Sequence, residues 1–228
     1  MAMVWTELLI LTHLVPYVLL PTIMYILYSK KEYYQDKVYS YNLLQLAFVA
    51  LIIAMIGEFL WHWLVQGWEY QSGEYHPLNG LMFSLMVLSF TLIAIGFDRG
   101  KLVDVVLVLV TIITPIAYVV GIKPFAYIAQ TIGLVALTVR SMRVLQDGRV
   151  ILFPVFSFGV NMGFISLLFS ATDPTIQIIY HVLHDIMGTL LGLAIWGYLL
   201  WINPDIEKPT KSYSILTNLI GSKKSSEV

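Results

Sequence analysis

His181, His184 and Asp185 stand inside Ile179-Tyr180-His181-Val182-Leu183-His184-Asp185-Ile186-Met187-Gly188, a run that is otherwise largely apolar. Ionisable side chains are costly in hydrocarbon, and those found there pair, bind or react. Helix positions three and four apart share a face, so the two imidazoles and the carboxylate point the same way. Earlier in the chain, Glu58 and His62 form an i, i+4 pair within Gly57-Glu58-Phe59-Leu60-Trp61-His62-Trp63. Two or three imidazoles with a carboxylate suit a metal ion. Zn²⁺ with three protein ligands and one open position generates hydroxide near neutral pH and polarises a carbonyl, which is what amide or ester hydrolysis needs. The expected ligands are His62, His181 and His184. Asp185 is expected to orient one ring, and Glu58 to act as general base or fourth ligand, so Glu58 and Asp185 are the catalytic candidates.

The elements that must position these residues follow from composition. The chain of 228 residues is 58% hydrophobic and 12% charged. Its mean hydropathy of +0.79 is too high for a soluble domain of this size. Apolar runs near the ~20 residues that cross a bilayer occur at 3–28, 41–66, 79–97, 102–120, 125–143, 150–170 and 175–202. The expected fold is all-α, a polytopic membrane protein built as a seven-transmembrane-helix bundle over residues 1–202. A polar cytoplasmic tail, 203–228, is expected to be disordered, although Ser214–Ile220 with Lys211, Lys223 and Lys224 could lie on the membrane surface. The first run is too long and too lightly charged at its front for a signal peptide and is kept as structure. The chain has no cysteine, which excludes disulfides and thiolate chemistry, and a net charge of −1 offers no basic surface for nucleic acid.

Orientation follows from Lys and Arg. Lys30, Lys31, Lys37, Arg99, Lys101, Arg140, Arg143, Arg149, Lys208, Lys211, Lys223 and Lys224 fall after odd-numbered spans, and Lys123 alone falls on the other side. The positive-inside rule then places the N-terminus outside and the C-terminus in the cytoplasm. With that orientation all five histidines lie in the outer half or at its mouth, His13 roughly 15 Å deep. Asn79, Ser84, Thr111, Thr114, Tyr118, Tyr127, Gln130, Thr131, Asn161 and Ser166 add polar groups at the same level, while the inner halves are mostly apolar. The pattern describes a cup open to the outside. Taken singly, His13 reads as a packing histidine, His76 as a solvated loop residue, Asn161 and Gln130 as helix cross-links, and the six Trp mostly as an interfacial belt. Gly188 and Gly192 extend the helix-7 face and admit a close neighbour.

Seven helices, an outside N-terminus, a histidine late in the second helix and a histidine pair in the seventh resemble the superfamily of alkaline ceramidases and adiponectin-type receptors, seven-helix intramembrane zinc amidases. The resemblance implies His62, His181 and His184 as zinc ligands and a lipid amide as substrate. This sequence differs from that pattern in the two-residue gap between His181 and His184, in Glu58 where the family has serine, and in the absence of a helix-3 aspartate.

The function expected from these residues is metal-dependent hydrolysis of an amide or ester in a lipid-like substrate drawn from the membrane. Three alternatives use the same polar core: a redox subunit binding haem, copper or iron through histidines of helices 2 and 7, a receptor or transporter, or a non-catalytic subunit of a membrane complex. A retinal photoreceptor is excluded in its usual form, because no lysine lies deep in the seventh span.

Overall fold

The computed structural model describes residues 2–66, 77–122 and 124–205. Seven apolar helices carry it: α1 (Val4–Ser29), α2 (Tyr41–Leu64), α3 (Pro77–Phe97), α4 (Lys101–Val119), α5 (Pro124–Leu145), α6 (Gly148–Ser170) and α7 (Pro174–Asp205). Each is long and apolar enough to cross a bilayer, which makes the chain a multi-pass integral membrane protein. The expected spans match these within a few residues. His76 and the proposed surface segment at 214–220 lie outside the described residues.

The short connections are set by local chemistry. The Ser40 side chain accepts the Leu43 N–H at the start of α2. Asp173 does the same for Thr175 and Ile176, with Pro174 opening α7. Gly121, at φ 84°, ends α4 in a left-handed turn that lets Ile122 N–H donate to the Ala117 carbonyl at 2.8 Å. Consecutive helices are antiparallel, so the start of α1, the end of α2, the start of α3 and the α4–α5 and α6–α7 connections share one face, the N-terminal face.

Three helices depart from regular α geometry. Pro16 has no N–H to give the Thr12 carbonyl, and α1, whose helical residues begin at Ala2, breaks at Val15 into Ala2–Leu14 and Pro16–Ser29. Wide π turns occupy His62–Gln66 in α2, Val155–Val160 in α6 and His184–Leu190 in α7. Single π turns inside α-helices are frequent at functional sites. Here every one lies at the depth of the histidines or just below them.

The apolar core fills the opposite half. Leu20, Ile23, Leu27, Leu44, Ala47, Phe48, Leu137 and Leu200 are buried there. Trp196 joins this core at 1% exposure, its ring 5.2 Å from Phe153 and 5.6 Å from Phe48, and so stands apart from the interfacial belt expected of most of the tryptophans. Asn203 is also buried, its Nδ2 donating to the Leu145 carbonyl at 3.0 Å, so α7 stays docked past the point where the polar tail was expected to begin. At the edge of this half, buried Arg140 on α5 pairs with Asp104 on α4 at 2.7 Å and donates to the Asp98 carbonyl. Arg99 and Arg143 complete that network through Asp104 and Asp98.

Candidate functional site

Four histidines from three helices converge. The π turn at the end of α2 carries His62, the last residues of α1 before the Pro16 break carry Thr12 and His13, and α7 carries His181, His184 and Asp185. Ring centroids lie 4.6 Å apart for His13 and His62, 4.9 Å for His62 and His181, and 5.3 Å for His13 and His181. The first and third of these contacts are edge-on. His184 stacks on His181 at 4.8 Å with the planes 12° apart. His13, assigned a packing role in the sequence, is therefore part of the group, and His181, which touches the other three rings, is at its centre. The expected residues His62, His181, His184 and Asp185 are brought together as well.

Asp185 organises the cluster. Its Oδ2 accepts from the Thr12 hydroxyl at 2.6 Å and lies 3.3 Å from His13 Nδ1, while Oδ1 is 3.4 Å from His184 Nε2. His13, His62, His181 and Asp185 are each less than 10% exposed. One ligand atom from each of His13, His62 and His181 lies within 4.8 Å of the others, and the same holds for His181, His184 and Asp185. Either trio could hold a metal ion.

The cluster lines a cavity of about 760 Å³. All seven helices contribute, among them Pro16 from α1, Glu58 from α2, Phe83 from α3, Tyr118 from α4, Gln130 from α5, Asn161 from α6 and Thr189 from α7. Gln130 Nε2, Ser157 Oγ, Asn161 Oδ1 and His184 Nδ1 are buried with no hydrogen-bond partner among the described residues. The rest of the lining is rich in Met and aromatic side chains. The arrangement suits a molecule with an apolar body and a few polar atoms. Of the polar residues expected at this level, Asn79, Tyr118, Tyr127, Gln130, Asn161 and Ser166 line the cavity. Ser84, Thr111, Thr114 and Thr131 instead donate to their own helix four residues back.

Glycines set how closely α6 and α7 approach beneath the cluster. A Cβ on Gly188 would fall 2.8 Å from Asn161 Cβ, and one on Gly192 would strike the Ser157 hydroxyl. The two π turns therefore face each other across a contact that only glycine permits. Asn161 Nδ2 crosses it to Thr189 Oγ1 at 3.3 Å.

A family model described as a seven transmembrane receptor (7TM_cyano) matches residues 5–205, nearly the whole chain. The chain belongs to this seven transmembrane receptor family. The match overturns the resemblance to alkaline ceramidases and adiponectin-type receptors, which rested on helix number and histidine positions. In this structure α7 turns from α to π geometry at His184, and α1 supplies a third helix to the histidine group. No curated protein and no solved structure matches the chain.

Proposed function

We propose that the protein is a receptor that takes a small amphipathic ligand into the cavity at its N-terminal face. One observation carries the reading above the others: in a chain of a seven transmembrane receptor family, a single cavity is walled by all seven helices. An occupant there touches every element whose displacement could report binding. The Lys and Arg asymmetry supports an outward-facing cavity. Unpaired Gln130, Ser157 and Asn161 atoms supply polar contacts for the ligand, and Met82, Phe83, Met86 and Phe158 supply apolar ones. The surrounding partners are membrane lipids.

Thermal unfolding of the purified protein against a panel of amphipathic small molecules tests this. A ligand at 100 times its Kd stabilises the folded state by about 2.7 kcal/mol. Gln130→Leu and Asn161→Leu keep side-chain size, remove the polar atoms and are expected to abolish that gain. Equal stabilisation of both variants would put the ligand elsewhere and overturn the reading.

A second reading is metal-dependent hydrolysis of an amide or ester, with Glu58 and Asp185 as catalytic groups. It is favoured by Glu58, which lines the same cavity as the imidazoles and accepts no hydrogen bond from a described residue. Turnover of chromogenic esters or amides that disappears in Glu58→Gln is its expected signature. A wild type inert toward every such substrate removes it.

A further inference from the structure

His13 is held in one tautomer. Its Nδ1 lies 2.9 Å from the Leu9 carbonyl oxygen, an atom that only accepts, so Nδ1 carries a proton and, in the neutral ring, Nε2 keeps the lone pair. The Asp185 carboxylate, 3.3 Å from the same Nδ1, reinforces the choice. Proteins fix ligating imidazoles in this way, with one nitrogen donating to a carbonyl or carboxylate and the other turned to the metal. His62 and His181 bring nitrogens to the same place. The buried His181 ring has ring contacts with three other imidazoles and no hydrogen bond to a described residue. An imidazole left that way inside a membrane-spanning bundle needs a partner.

We propose that His13, His62 and His181 bind one divalent transition-metal ion of the zinc class, with Asp185 as a positioning residue acting through His13. A tetrahedral zinc site with metal–nitrogen bonds of 2.0–2.1 Å sets its ligand nitrogens about 3.3 Å apart. The three nitrogens lie within 4.8 Å of one another, so small side-chain rotations close the site. The alternative trio of His181, His184 and Asp185 is less suited. Its two rings stack face to face, and its carboxylate is already engaged by Thr12 and His13. His13 thus takes the place that the sequence assigned to His184. All three ligands line the cavity, so the open coordination position faces it, and the ligand of the proposed receptor binds the metal there. That last clause rests on the receptor reading; the metal site itself does not.

The test uses full-length protein purified in detergent through a tag without histidine, stripped with chelator and titrated with Zn²⁺ and with Co²⁺, whose visible bands report four-coordination. One ion per chain is expected. His13→Ala, His62→Ala and His181→Ala are expected to lose it, and His184→Ala to keep it. Asp185→Asn is expected to weaken affinity by about 10- to 100-fold, in the range seen for outer-shell partners of ligating histidines. Its metal-free unfolding temperature should stay within a few degrees of wild type, a separation that a purely structural role would not give. His13→Gln serves where the alanine variant fails to fold. A wild type that takes up no ion overturns the inference while leaving the receptor reading intact. Retention by His13→Ala with loss in His184→Ala overturns it in favour of the α7 trio. A Soret band in the protein as isolated overturns it by assigning the imidazoles to haem.

Discussion

Asp185 reaches three neighbours at once, Thr12, His13 and His184, and through them ties α7 to α1. A second buried carboxylate, Asp104, lies near the other membrane face, where it differs from Asp185 in pairing with two permanently charged partners, Arg140 and Arg99. Removing one partner of a buried pair leaves the other charge uncompensated, at a cost of about 3 to 5 kcal/mol. Asp104→Ala is therefore expected to lower the unfolding temperature of the purified protein markedly, with Arg140, at 5% exposure, left without its carboxylate. An unchanged unfolding curve would show that the network contributes nothing. Asp147, in the α5–α6 connection, gives a pH-dependent counterpart. Burial pushes its carboxyl up, but hydrogen bonds from the Arg149 side chain and backbone outweigh that and hold it below the usual carboxylate range. A group with a lowered folded pKa contributes stability above its unfolded value, about 3.9, and loses it as pH falls through the lower folded value. Arg149→Ala should consequently raise the pH at which acid unfolding begins, and an unchanged acid midpoint would contradict the assignment.

At the scale of elements, the helices were legible in the sequence and their irregularities were not. Hydropathy placed all seven spans because each is a long apolar run bounded by Gly, Pro, Asp or charged residues. The α7 face was equally legible, since spacing alone puts His181, His184 and Asp185 together. His13 was missed because a lone histidine in an apolar run usually packs. The available signal was Pro16, three residues on, which breaks α1 where Thr12 and His13 meet Asp185. The π turns have no signature in periodicity, yet they set the histidine geometry and the α6–α7 contact. Gly192→Ala probes that contact: the new methyl meets the Ser157 hydroxyl and, at 3.1 Å, its backbone nitrogen. Overpacking of this kind costs about 1 to 3 kcal/mol. The variant should unfold at a lower temperature, whereas full stability would mean that α6 yields freely.

Over the whole molecule, polar groups and apolar core are segregated by depth. The half toward the N-terminal face holds the cavity, whose lining includes four histidines and two carboxylates, and the other holds the Phe48, Phe97, Phe153 and Trp196 cluster under a rim of ion pairs. The proposed receptor needs its cavity in contact with water on the outer side of the membrane. The absence of cysteine makes that directly measurable. Single cysteines at Gln130, Ser166 and Thr189, which line the cavity, and at Lys101 on the opposite face can each be challenged with a membrane-impermeant thiol reagent in intact cells. Labelling from outside is expected at the three cavity positions, and at Lys101 only after the membrane is opened. Labelling of Lys101→Cys in intact cells, with the cavity cysteines protected, would contradict it.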